Sequence, residues 1–417
     1  MTDTPAMARK LRHAFLTEAP TRAVMAALGA GNARFVGGCV RNALLGRPVE
    51  DVDIATRLPP AEVTARLEAA GLRAVPTGIA HGTVTAIAEG RPFEVTTLRR
   101  DVATDGRHAE IAYGADFAED AARRDFTINA LYAEEDGTVH DPTGEGLADL
   151  AGRRVRFIGD PALRIREDYL RILRFFRFTA MLGLPEPDAA GLAACAAERA
   201  GLARLSGERV QKELLRLLAA DDPAPALRAM AASGVLAELL PGRLDIARLA
   251  RVVEIEAGEL FECDPVRRLG ALLAGDAAER AAIAARLRLP NATLHRLEAM
   301  LSEGPALKCY LSVREVRQRL YRIGADSFAD RTILAWAADP KRSNGVQWRA
   351  LLAMARSWER PVFPLKGADV IAAGVPRGPE VGRVLAEVED WWIDSDFTED
   401  AFSIIERMKA VVQASVF

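Results

Sequence analysis

The sequence predicts an α+β protein, with strands confined to the first third of the chain and helices after it. Short runs rich in β-branched residues, bounded by glycine and proline, occur between Arg34 and Leu98. Beyond them alanine, leucine and arginine dominate and β-branched residues thin out, which is a helical composition. At 417 residues the chain exceeds one ordinary core and implies two to four domains.

Taken in order, residues from about Pro5 to Leu28 read as one helix with Leu11, Phe15 and Leu16 on its apolar stripe. Strands are expected near Arg34–Val36 and Asp51–Ala55. Pro59-Pro60 opens a helix that runs through Ala69 and stops at Gly71. Strands around Gly82–Ala88 and Phe93–Leu98 flank the turn Glu89-Gly90-Arg91-Pro92. From Leu98 to Tyr113 charged residues and Asp105-Gly106 predict a mobile loop, with His108 an ordinary loop residue. Gly159-Asp160-Pro161 ends the sheet region, and Leu163 to Ala180 reads as a single helix. Ser206 caps a further helix that carries Arg209, and Pro223-Ala224-Pro225 marks a domain edge. Arg267–Leu289 and Val313–Ile323 read as amphipathic helices. There is no internal repeat and no low-complexity stretch.

Half the residues are hydrophobic and about a quarter charged, as in a soluble globular chain. No stretch is long and apolar enough to span a membrane, and the N-terminus lacks a signal-peptide core. The four cysteines (Cys39, Cys195, Cys263, Cys309) form no C-x-x-C pair, which argues against a disulfide framework or a zinc site and fits a reducing cytoplasm. The formal net charge of −3 is no obstacle to a nucleic-acid partner when basic residues cluster. Residues 151–180 carry eight arginines against three acids. The sequence carries no signal for oligomeric state.

One stretch carries chemistry. Phe35-Val36-Gly37-Gly38 ends an apolar strand in a double glycine, Arg41 follows within one helical turn, and Asp51-Val52-Asp53 comes next. Alternation along a strand puts Asp51 and Asp53 on one face, a hard oxygen site suited to Mg²⁺ rather than zinc. Glycines allow backbone N–H groups close to a phosphate, and Arg41 supplies positive charge. Together these parts describe metal-dependent phosphoryl or nucleotidyl transfer. His140-Asp141 matches a metal-dependent phosphohydrolase dipeptide only superficially, since the further ligands have no visible arrangement.

Gly37-Gly38-Cys39-Val40-Arg41, Leu44-Leu45-Gly46 and Asp51-Val52-Asp53 resemble the signature of the class II tRNA nucleotidyltransferase and bacterial poly(A) polymerase family. Asn42 departs from it, standing where many members have aspartate. The resemblance implies a nucleotidyltransferase head with a small mixed β-sheet, like that of DNA polymerase beta, followed by an all-α neck, body and tail. It makes Gly38 and Arg41 nucleotide contacts, and Asp51 and Asp53 the catalytic ligands of two Mg²⁺. Glu94 matches an acidic position beside them and reads equally as a third carboxylate or a surface glutamate. Arg124-Asp125-Phe126-Thr127 resembles the second family motif, so Arg124 should touch the incoming nucleotide.

Glu167-Asp168-Tyr169-Leu170-Arg171 resembles the family's base-selecting motif. Asp168 would accept from the amino group of cytosine or adenine, and Arg171 would donate to a ring acceptor. Uracil and guanine present a carbonyl where Asp168 needs a donor, a mismatch of about 1–3 kcal/mol per buried group. Arg174 and Arg177 remain for the triphosphate. The segment from Leu98 to Tyr113 matches the loop the family needs for adding the final A. Lys366-Gly367-Ala368-Asp369 and Gly374-Val375-Pro376-Arg377-Gly378-Pro379 resemble the family's tail.

The implied reaction is template-independent addition of C, C and A to tRNA 3′ ends from CTP and ATP, with release of pyrophosphate. Acceptor RNA would be met through arginine-rich neck and tail surface. The expected domains are a catalytic head (1–150), a neck (151–220), a body (221–305) and a tRNA-binding tail (306–417). Poly(A) polymerase, an A-adding partner enzyme and an inactive RNA-binding protein are the alternatives.

Overall fold

The computed structural model describes residues 10–78, 82–104, 109–114, 116–259, 261–302 and 307–415. The chain separates into two compact units, residues 1–243 with 275–288, and residues 244–274 with 289–417.

The first unit is built on a mixed seven-stranded sheet of order β3-β4-β5-β2-β1-β8-β9. Its strands are β1 (Ala33–Val36), β2 (Asp53–Thr56), β3 (Arg73–Gly78), β4 (Thr83–Ala88), β5 (Arg91–Thr97), β8 (Tyr132–Ala133) and β9 (Val139–His140). Only β2 and β5 pair in parallel, with Asp53 opposite Glu94. Strand β2 is central, and Ile54, Ala55 and Thr56 are buried. The β4–β5 hairpin closes through Glu89 and Gly90, both at positive φ, as a two-residue turn between right-twisted strands requires. Edge strand β3 was not expected. It is largely exposed and contains Pro76, so it shows little apolar alternation.

Helices α1 (Ala19–Leu28), α2 (Gly38–Leu44), α3 (Pro60–Ala69), α4 (Phe117–Ala122) and α5 (Gly146–Ala151) belong to the sheet region. After them come α6 (Pro161–Glu167), α7 (Leu170–Met181), α8 (Ala189–Glu198) and α9 (Gly207–Leu218). An aromatic cluster ties the two parts together. Phe126 lies 4.8 Å from Phe157 and 5.5 Å from Phe178, and Phe157 stacks on Phe175 at 5.5 Å. Each such pair adds about 0.5–1.5 kcal/mol beyond area burial, which sets the arginine-bearing face of α7 beside the sheet.

Four expectations need correction. The single helix over residues 5–28 is instead a 3-10 turn (Ala14–Leu16) followed by α1. Pro20, without an N–H, fits only in a helix's first turn, so α1 begins there; Leu11, Phe15 and Leu16 are buried as expected. The segment from Leu98 to Tyr113 is not an irregular loop. Its described part is an antiparallel ribbon of β6 (Arg99–Thr104) and β7 (Ala109–Tyr113), while Asp105 to His108 lie outside the described residues. The helix over 163–180 breaks at Asp168, whose backbone is extended (φ −156°, ψ 105°) between α6 and α7. Finally, Arg267–Leu289 is two helices, Pro265–Leu272 and Ala277–Leu287, one in each unit. Asp276 and Glu279 form a capping box that starts the second.

The regular elements of the second unit's described residues are helices, with one isolated bridge between Leu244 and Leu273, and they include Val313–Ile323 as expected. One of its cores gathers Tyr321, Val384, Val388, Trp392, Ile404 and Met408.

Candidate active site

A cavity of about 520 Å³ opens at the end of the sheet where β1 passes into α2 and β2 begins. Gly37 makes the turn, at φ 73° and ψ −121°, a conformation strained for any residue with a Cβ. Gly38 is the first residue of α2. Asp53 is the first residue of β2, and Asp51 stands two positions earlier, just outside the strand. Both carboxylates line the cavity.

Neither Asp51 nor Asp53 receives a side-chain hydrogen bond or ion pair among the described residues. Burial pushes the Asp53 carboxyl up to about 6, helped by the like charges of Glu94 and Asp51 and opposed by Arg124 and Arg41. A cation bound beside this half-buried carboxylate would favour its charged form. The donor set, two carboxylates and no sulfur or imidazole, fits a hard divalent ion. Neighbouring Cys39 is not a ligand: it is buried, its thiol faces the carbonyls of Val36 and Asp53, and burial with the Asp53 charge pushes it up to about 12.

Six arginines (41, 47, 124, 174, 177 and 216) and four carboxylates (Glu50, Asp51, Asp53, Asp125) line the cavity. Phe178 is a shared platform, with the guanidinium of Arg177 4.0 Å, Arg41 4.8 Å and Arg174 5.4 Å from its ring centroid. Three cations around one ring repel one another, and Arg41 is pulled down to about 10 by burial and then by Arg177. Such crowding is tolerated when each guanidinium has an anchor. Arg174 Nε donates to Asp125 (2.6 Å), Asp125 accepts from Asn129 Nδ2 (3.0 Å), and Asn129 Oδ1 accepts from Arg41 Nη1. Arg177 Nε donates to buried Glu213 on α9 (2.6 Å). Arg124 is held by Asp120 (2.9 Å) and by Tyr132, which keep it charged against the cost of burial. Asn42, the departure noted above, accepts from Arg41 Nη2 (2.8 Å) and donates to the Pro48 carbonyl (3.3 Å). An aspartate could do the first and not the second.

The cavity therefore brings together Gly38, Arg41, Asp51, Asp53, Arg124, Arg174 and Arg177, and does not include Glu94, Asp168 or Arg171. Glu94 is exposed, in register beside Asp53. Among the described residues, no group of three or more His, Cys, Asp or Glu is arranged to hold a metal ion. Asp168 and Arg171 do not pair with each other. Asp168 accepts from Arg209 Nη2 (2.8 Å) and from the Leu170 N–H (3.1 Å). Arg171 bonds Glu167 and the Arg164 carbonyl (2.9 Å). The anchors Asn129, Asp125, Glu213 and Arg209, and the platform Phe178, were not foreseen as site residues. Only Asp125 and Asn129 had a signal, the first inside the Arg124-Asp125-Phe126-Thr127 run and the second two residues beyond it.

Residues 33–156 match the family described as poly A polymerase head domain. Residues 187–245 match one described as a probable RNA and SrmB-binding site of polymerase A. The chain is 34% identical to the mitochondrial CCA tRNA nucleotidyltransferase 1 of Danio rerio over 381 residues, which cover 87% of this chain and 84% of the relative. It is 32% identical to the CCA-adding enzyme of Levilactobacillus brevis over 368 residues, covering 86% and 88%. Among solved structures, the Bacillus stearothermophilus CCA-adding enzyme in complex with CTP superposes with a TM-score of 0.79, at 26% identity, over 97% of this chain and 99% of the other.

Proposed function

The chain belongs to the family of CCA-adding tRNA nucleotidyltransferases, and from that premise we propose that it adds C, C and A to tRNA 3′ ends, using CTP and ATP. The observation that carries this reading is the pair of unpaired carboxylates, Asp51 and Asp53, facing an arginine-lined cavity.

Nucleotidyltransferases of this kind use a divalent metal, and Asp51 with Asp53 would hold it here, as Mg²⁺. When bound, the metal neutralises triphosphate charge and makes the primer 3′-hydroxyl a better nucleophile. The protein's own share is binding and orientation. Arg41, Arg174 and Arg177, spread over Phe178, take the triphosphate, and the buried anchors Asp125, Asn129 and Glu213 keep them from collapsing onto Asp51 and Asp53. Arg124, held by Asp120 and Tyr132, reaches the nucleotide from the sheet side. Gly38 lets the backbone of α2 approach the phosphates. Glu94 acts on the reaction through its charge on Asp53, which supports a role in tuning rather than ligation.

Arg171 lies six residues, about 9 Å, before Arg177 along α7. That separation supports a base held near Asp168 and Arg171 while its phosphates lie in the cavity. Reading the base requires Arg171 to leave Glu167, an exchange of one charge-assisted bond for another. Lys366 and Gly378 each immediately precede a helix in the second unit, which supports contacts from that unit to the RNA backbone. We keep the fourfold head, neck, body and tail division as a functional one.

The described residues contain no helix long and apolar enough to cross a membrane. Cys39 and Cys195 are buried as thiols rather than paired in disulfides, which supports work in a reducing compartment, the cytoplasm. Fractionation of cells carrying a tagged copy tests this against the mitochondrial location named for some relatives.

Incubation with tRNA lacking CCA, and with CTP alone, ATP alone or both, tests the reaction. Addition of C, C and a single A is expected. Long poly(A) product would identify a poly(A) polymerase, and addition only to tRNA already ending in CC would identify an A-adding enzyme.

A further inference from the structure

Helix α9 reaches α7 and the preceding link with one face. Arg209, Glu213 and Arg216 stand at i, i+4 and i+7, so they lie one above another. Arg209 holds Asp168, Glu213 holds Arg177, and Arg216 lines the cavity. A single rigid element thus touches both the acid assigned to the base and the arginines assigned to the phosphates.

The Arg209–Asp168 contact is not an important contribution to stability. The side chains are 48% and 33% exposed, and a pair in that setting contributes about 0–1 kcal/mol. Its geometry is the informative part. Asp168 sits at the break between α6 and α7, where no helix fixes its direction. Oδ1 accepts from the Leu170 N–H and Oδ2 from Arg209. With one donor fixed on each oxygen, the carboxylate cannot turn about its axis, yet it keeps acceptor capacity on both oxygens.

We propose that Arg209 is a positioning residue for nucleotide selection, fixing Asp168 as a directed acceptor that an amino group satisfies and a carbonyl does not. The proposal rests on the assignment of Asp168 to the base. Without Arg209 the carboxylate is tied at one oxygen only. It can then rotate away from a mismatched carbonyl or admit a water between them, and the penalty against uracil and guanine falls.

Single-nucleotide addition by the full-length protein to tRNA lacking CCA, with CTP and with UTP, tests this in R209Q, R209K and D168N. R209Q should lower the ratio of kcat/KM for CTP over UTP about tenfold, with most of the loss for CTP in KM. R209K, which keeps a charged donor, should recover most of that ratio. E213Q, which loosens Arg177 instead, should raise KM for CTP and UTP alike and leave the ratio in place. Melting temperatures within about 2 °C of wild type are expected for R209Q and R209K, since the residue is exposed. If R209Q keeps the wild-type ratio while D168N loses it, Arg209 is a surface ion pair and the proposal is wrong. If D168N also keeps the ratio, the assignment of the base to Asp168 falls, and the proposal with it.

Discussion

Two arginine-rich surfaces, one in each unit, look alike in sequence and differ in what faces them. On α7 of the first unit, Arg174 and Arg177 are anchored from behind by Asp125 and Glu213, and they line a cavity together with Arg41. On the Val313–Ile323 helix of the second unit, Arg317 and Arg322 are answered by Asp396 and Asp390, and Arg314 by the Asp394 carbonyl. The first set keeps positive charge directed at an open space. In the second set the charge is spent within the fold. A count of basic residues cannot separate the two, because the difference lies in where the partner acid sits relative to the guanidinium.

Substitutions should break this contrast in order of size. Removing either member of the acid pair, D51A or D53A, should lower CCA addition by a factor of about 10³ or more, read as initial rates with saturating Mg²⁺. Retention of full activity would place the chemistry elsewhere. Next is the anchored rail: D125N should leave Arg174 without its charged anchor and raise KM for CTP and ATP about tenfold, with a smaller effect on kcat.

A third prediction concerns stability and its pH dependence. In the metal-free protein the Asp53 carboxyl stands at about 6 against an ordinary 3.8, so its charged form costs the folded state. That cost is fully present above pH 6 and is lost as pH falls from 6 towards 4. D53N should therefore stabilise the protein in chelator at pH 7.5, by about 1–3 kcal/mol, and the gain should vanish near pH 4. Equal melting temperatures at pH 7.5 would show that the carboxylate is not under strain. The smallest effects belong to the second unit. R322A should cost at most a few tenths of a kcal/mol in denaturant unfolding, since Arg322 and Asp390 form an exposed pair.

The sequence made the sheet end of the site readable because its signals are local. Gly37, Gly38, Asp51 and Asp53 owe their roles to local backbone geometry, which acts within a few residues, although Asp51 stands just before the strand that alternation placed it in. What it concealed was set by distant partners. The break at Asp168 coincides with the Arg209 contact, 41 residues away, and the buried Glu213 that holds Arg177 is 36 residues away. Helical periodicity through Leu163–Ala180 ran across Asp168 because the buried set, Ile165, then Leu170, Ile172 and Leu173, keeps nearly the same spacing through the break. The ribbon after Leu98 was missed for a different reason: its charged residues and Asp-Gly gave a loop composition, and pairing between its two arms supplies the strand order. Pro20 was a legible signal, and its position inside a presumed helix pointed to a restart.

The central claim is that Asp51 and Asp53 hold divalent metal against a triphosphate whose charge is met by Arg41, Arg174 and Arg177. A crystal of the protein soaked with CTP and Mn²⁺, with metal located by anomalous scattering, measures this directly. The account predicts Mn²⁺ within coordination distance of both carboxylates and the triphosphate on the arginines around Phe178. Metal or nucleotide bound away from that cavity would contradict it.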